Sequence, residues 1–161
     1  MTLDPAVLAA LREGAAARTG GRCAYCASYV TPLDLGAVDF FRPLKRGGVP
    51  DADNALFACA RCNANKGAYW HETDVPHIKL LHPLNDPLRA HLREEEDGSL
   101  VPLTPEGEFY VQRIRLDRET LITQRRAFRL LARARELEDA LRRRIDELRR
   151  AEELQPPHPS E

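Results

Sequence analysis

RCAYC at Arg22–Cys26, VDFFRPLKRGG at Val38–Gly48 and CARCNANKG at Cys59–Gly67 decide the fold. All 4 cysteines of the 161-residue chain fall in this stretch, as two C-x-x-C pairs separated by 32 residues. A C-x-x-C turn points two sulfurs at one ion, and two such turns complete the tetrahedral thiolate shell of a closed structural zinc site. Cys23, Cys26, Cys59 and Cys62 are therefore read as Zn²⁺ ligands. Between them lie an acid followed by two aromatics, a basic Lys-Arg-Gly-Gly turn and an Asp-Asn step.

Outward from this unit, Asp4 and Pro5 start a helix over residues 3–18, which Gly20-Gly21 stops. Short strands are expected at Ser28–Val30 and Gly36–Phe41, with a turn at Thr31-Pro32. A helix from Ala60 is expected to end at Gly67. Residues 68–90 read as an ordered loop, and His91–Leu103 as a hairpin turning at Asp97-Gly98. Thr104-Pro105-Glu106 opens a helix to about Leu116. Asp117 caps a long helix over roughly 118–154, before a tail expected to be disordered. The fold class is α+β. The divisions are an N-terminal helix (1–19), a zinc-binding domain with its elaboration (20–116), a long amphipathic helix (117–154) and a tail (155–161).

Net charge is −1, so no global basic field announces a polyanionic partner. Locally, Arg113–Arg150 holds 13 Arg against 7 acids. In the long helix, Leu130, Ala134, Leu137, Leu141, Ile145 and Leu148 form a narrow apolar seam among charges, the pattern of a coiled-coil or helical-hairpin contact, and a homodimer through 130–150 is a candidate. The first 20 residues carry no signal-peptide pattern and no run suits a membrane span, so a cytoplasmic protein without membrane association is expected. Reduced cysteines acting as metal ligands fit that compartment.

The spaced positions Cys23, Cys26, Asp39, Pro43, Gly47, Gly48, Asn54, Cys59, Cys62, Asn63 and Lys66 resemble the HNH, or ββα-metal, nucleases in their zinc-binding four-cysteine form. The likeness continues more loosely through residues 80–84, His91 and the LTPEGEFYV segment. It implies a treble-clef-like ββα-metal domain that binds DNA and hydrolyses phosphodiester bonds. In that family a strand-end acid and a terminal Asn or His hold one divalent ion; Asp39 and Asn63 match them, and oxygen ligands suit Mg²⁺ or Mn²⁺. Asn54 matches the loop residue that orients the base through backbone hydrogen bonds. Arg42, Lys45, Arg46, Arg61 and Lys66 flank the site as candidate phosphate contacts.

The chain departs from the family where the general-base histidine belongs: that residue is Phe40, whose ring cannot take a proton. Loss of a positioned base costs roughly 10²- to 10⁴-fold. Three accounts are open. The domain binds nucleic acid without cutting it; a histidine of the following loop (His71, His77 or, above all, His82) substitutes; or Phe40 is an isolated inactivating change in an ordinary nuclease. Tyr69 and Trp70 read as packing residues. A reading of a different class is a zinc-organised protein-interaction module that assembles through its C-terminal helix.

Overall fold

The computed structural model describes residues 3–30 and 36–153, with the side chains of 152 and 153 left out. The expected turn at Thr31-Pro32 and the expected tail lie outside these residues. The architecture is mixed α+β. Its elements are α1 (Pro5–Arg18), β1 (Ala37–Phe40), β2 (Ala55–Ala58), α2 (Ala60–Lys66), α3 (Leu88–His91), β3 (Leu92–Glu94), β4 (Leu100–Pro102), α4 (Pro105–Ile114) and α5 (Glu119–Glu153). No helix among the described residues is long and apolar enough to cross a membrane.

Local chemistry sets the helix ends. Asp4 caps α1 by accepting from the Ala6 amide at 2.7 Å, with Pro5 in the first turn. The Arg18 guanidinium at its far end donates to the carbonyls of Ala52 (2.6 Å) and Ala55, which fastens α1 to the approach of β2. Thr104 caps α4 through the Gly107 amide at 3.1 Å. A Cβ on Gly107 would lie 2.1 Å from the His91 carbonyl oxygen, so glycine is what lets α4 meet α3.

β1 and β2 pair antiparallel, with Asp39 opposite Leu56 and Phe40 opposite Ala55. The Ala-Leu-Phe-Ala run of β2 has no polar alternation because all four residues are buried, and this strand was not expected from the sequence. Conversely, the strand expected at Ser28–Val30 reduces to one bridge between Arg22 and Tyr29. The connection from β1 to β2 turns at Gly48, where a Cβ would stand 1.9 Å from the Arg42 carbonyl oxygen. Asn54 closes the same turn: its Oδ1 accepts from the Arg42 amide (2.8 Å), and its Nδ2 donates to the carbonyls of Arg42 (2.9 Å) and Val49 (2.8 Å). The expected helix from Ala60 to Gly67 is α2, with Gly67 at φ 58° as its stop.

β3 and β4 form the expected hairpin, turning at Gly98 (φ 88°). Its tip lies against α5, since a Cβ on Gly98 would come 2.3 Å from the Ile122 carbonyl oxygen. One continuous core includes Tyr25, Leu56, Leu80, Tyr110, Ile114 and Leu121. α5 contributes Leu121 to it. Arg125 then donates to the carbonyls of Gly98 (2.6 Å) and Leu116 (2.9 Å), and Arg129 reaches those of Glu94 and Glu95. From Leu130 onward every residue of the helix with a described side chain is exposed. At 1.5 Å per residue, residues 130–153 project about 36 Å from the domain.

Candidate metal centre and the buried Asp39–Lys66 pair

Two turns bring the four cysteines together. In the first, the Cys23 amide donates to the Ser28 carbonyl (2.9 Å), and Ala27 takes a left-handed conformation (φ 58°) while donating to the Cys23 carbonyl (2.8 Å). The Ala24 amide, bonded to the Phe57 carbonyl at 2.8 Å, hangs this turn on β2. In the second, Cys59 is the N-cap of α2, its sulfur accepting from the Cys62 amide at 3.4 Å. The four sulfurs lie within 4.8 Å of one another, and those of Cys26 and Cys59 are 4.0 Å apart. Four thiolates around one zinc at about 2.3 Å stand roughly 3.8 Å from each other, so the cluster is close enough to hold such an ion after a small contraction.

The surroundings suit a thiolate site. Such a centre carries net negative charge, and the Arg118 guanidinium donates to the Cys62 sulfur at 3.5 Å. Beside the cluster Tyr110 is fully buried, and its hydroxyl has no partner among the described residues. Packed as free thiols, the four perturb one another in opposite directions through S–H···S contacts: Cys59 is brought down to about 7 and Cys26 also falls, while Cys23 and Cys62 rise. A shared cation removes that conflict by deprotonating all four. When bound, the ion cross-links the start of the domain to α2.

Asp39 stands on the core-facing side of β1, only 6 % exposed. Its Oδ1 accepts from the Lys66 ammonium at 2.9 Å, and its Oδ2 accepts from the Tyr25 hydroxyl. Lys66 is 0 % exposed; its ammonium also donates to the Phe40 carbonyl at 3.0 Å and lies 5.9 Å from the centre of the Phe41 ring. Burial pulls the Lys66 pKa down, and the Asp39 carboxylate opposes that fall. Burial first, and then the Asp39 charge, push the Tyr25 hydroxyl well above the usual phenol range, so Tyr25 remains a donor. Arg113 holds the end of α2 by donating to the Lys66 carbonyl at 2.7 and 3.1 Å.

Lys66, expected at the surface as a phosphate contact, is therefore an internal counter-ion: the last turn of α2 faces β1, and its length suffices to reach Asp39. The fit of Asp39 to a divalent ion is correspondingly poor, because both carboxylate oxygens are engaged by side chains of the protein. Asn63 is half-buried midway along α2. Asn54 spends its amide on backbone groups of the β1–β2 turn, the kind of bond expected of it, but the residue beside Asp39 that such bonds would orient is Phe40 and not a base. Phe40 is half-buried at the end of β1, next to Asp39.

No family model matches the chain. No curated protein and no solved structure matches it either.

His82 packs edge-on against Phe41, with ring centroids 4.4 Å apart. Its Nδ1 accepts from the amides of Leu84 and Asn85, both at 3.2 Å, which places the ring hydrogen on Nε2. Burial holds its pKa below the ordinary value. In this state the ring has no free basic nitrogen, so service as a proton acceptor requires breaking the two amide contacts and turning the ring. His77 donates from Nδ1 to the His71 carbonyl at 3.0 Å, which ties this loop to itself, and the His71 ring lies tilted beside that of Trp70 with centroids 4.5 Å apart.

Lys45 and Arg61 are exposed and form no ion pair among the described residues. Arg42 lies 5.2 Å from the centre of the Trp70 ring and donates to the Arg46 carbonyl at 2.9 Å, while Arg46 itself pairs with Asp74. Tyr25 and Arg118 were missed from the sequence. An aromatic inside a C-x-x-C turn was a usable signal for Tyr25; Arg118, 56 residues from Cys62, carried none.

Proposed function

We propose that the chain is an HNH-type, zinc-bound domain that binds duplex DNA and has lost hydrolysis. The carrying observation is that Asp39 sits saturated by Lys66 and Tyr25 directly beside Phe40. A strand-end carboxylate that is to hold a hydrolytic cation needs an open oxygen and a neighbouring base, and this pair offers neither. The scaffold supports recognition instead: a strand–strand–helix unit, a four-cysteine cluster pinning its start to its helix, and exposed Lys45 and Arg61 on the flanking turn and helix. Phosphate contacts from such side chains supply sequence-independent affinity.

The test measures binding of fluorescent duplex DNA across a salt series, beside plasmid nicking in Mg²⁺ and Mn²⁺. Binding that weakens steeply with salt, falls on Lys45→Glu/Arg61→Glu, and leaves plasmid intact is expected. Nicking by the natural chain, or affinity indifferent to salt, refutes the reading. Nicking gained only by Phe40→His supports the register of the resemblance. The second reading, an interaction module, is favoured by the exposed seam on α5.

A further inference from the structure

α2, the end of α4 and the start of α5 meet around an open cleft of about 370 Å³, lined by Arg61, Asn65, Arg115, Arg118, Glu119 and Thr120. Three of these six residues are arginines. Arg61 and Asn65 stand four residues apart on α2 and so share one face of it. Arg115 is the C-cap of α4, and Arg118 directly precedes α5.

Arg115 occupies a place that suits glycine better. Its backbone is left-handed (φ 57°, ψ 54°), the conformation that closes a helix and that glycine adopts without a steric penalty. Its guanidinium does nothing for the fold that would offset this. The side chain is exposed and forms no hydrogen bond or ion pair among the described residues. Arg61 is exposed and equally uncommitted. Arg118 is engaged only in part. Its Nη1 donates to the Ile114 carbonyl (2.9 Å) and its Nη2 to the Cys62 sulfur (3.5 Å), while its Nε–H is buried with no acceptor among the described residues. A buried donor without an acceptor is costly, so it points to an acceptor the chain itself does not supply.

Charge decides what fits. Glu119 is the one carboxylate lining the cleft, and Asp117, exposed between Arg115 and Arg118, is not part of its wall. The thiolate centre offsets the charge of Arg118. Arg61 and Arg115 then stand against Glu119, which leaves one net positive charge and an excess of N–H donors. The complementary group carries one negative charge and only accepts hydrogen bonds. A phosphodiester has that charge and that chemistry, and the guanidinium fork matches its paired oxygens. The volume stands near the small end of ligand pockets, about 300 Å³, which suits one group of a longer strand.

We infer that Arg61, Arg115 and Arg118 together grip a single backbone phosphate of bound duplex DNA. This rests on the nucleic-acid reading and deepens it. It adds the junction of α4 and α5 to the contact surface and sets the phosphate on the zinc side of the domain, since Arg118 touches both the cleft and Cys62.

The test titrates fluorescent duplex DNA with the full zinc-loaded chain at about 50 and 200 mM salt. One phosphate contact contributes about 0.9 to the slope of log affinity against log salt, so its loss costs about 3.5-fold more affinity at the lower concentration. Arg61→Ala and Arg115→Gly each weaken binding. The double variant loses the slope of one phosphate and not of two, because both side chains hold the same group. Arg115→Gly keeps or raises the urea midpoint of the natural chain while losing affinity, which separates ligand binding from a structural role, and Arg115→Lys recovers part of the affinity. Glu119→Gln tightens binding. Duplexes with and without a 5′-phosphate show the same losses, since the ligand is internal to the strand. An unchanged slope in the double variant, a slope lowered by two phosphates, an Arg115→Gly chain less stable than the natural one, or losses confined to 5′-phosphorylated duplex overturns the inference. Such a result leaves salt-dependent binding through other cations, and with it the nucleic-acid reading, intact. A natural chain that binds no duplex removes both.

Discussion

Removing the Lys66 ammonium while keeping the Asp39 carboxylate tests the central feature of the site. At 2.9 Å and an effective dielectric of 20, the gross attraction is about 6 kcal/mol, set against several kcal/mol of lost hydration for each ion. The pair is close to break-even as a whole, but either half alone is costly. Lys66→Met leaves Asp39 with the Tyr25 hydroxyl only, and breaking a buried pair in this way costs roughly 3–5 kcal/mol. Lys66→Met/Asp39→Asn removes both charges while keeping an acceptor for Tyr25, and should recover most of the loss. The assay is urea unfolding of zinc-loaded protein at pH 7, followed by fluorescence of Trp70, the 1 tryptophan, which lies 6.1 Å from Phe41. A Lys66→Met cost below about 1 kcal/mol at pH 7, or single and double variants that simply add, would refute the buried pair.

Zinc should be present at one ion per chain in purified protein; chelation or Cys62→Ser should abolish cooperative unfolding, and metal analysis beside circular dichroism reads both. Because thiolate ligation releases protons, acidification should release the ion, and a metal-indicator titration showing no pH dependence would contradict the four-thiolate assignment. His82, whose pKa is lowered chiefly by burial, contributes stability present above about pH 6.5 and lost as pH falls through its folded value. His82→Gln should flatten that part of the stability profile in urea midpoints between pH 7.5 and 5, and an unchanged slope would exclude the neutral buried ring. Gly48→Ala drives a Cβ into the Arg42 carbonyl and should cost about 1–3 kcal/mol or more by the same measurement.

Some elements were legible because their causes are local. Asp4-Pro5, Thr104-Pro105, Asp97-Gly98 and Gly67 announce two helix starts, a hairpin and a helix stop through caps and backbone freedom, which act within a few residues. The cysteines were legible for the same reason, since each C-x-x-C turn is a short-range device and four convergent sulfurs have few other uses. β2 was not legible: a strand buried on both faces loses the polar alternation by which strands are read.

The sequence by itself determined the ends of α1, α2 and α4, the hairpin turn, the four-thiol cluster and the apolar seam along α5, because each depends on neighbours or on a fixed helical period. Only the tertiary structure decided that Lys66 turns inward to Asp39, that Tyr25 joins them, and that the seam beyond Leu130 stays uncovered. Those outcomes depend on which faces meet and on how much water each charge loses, and burial is a property of the whole packed chain.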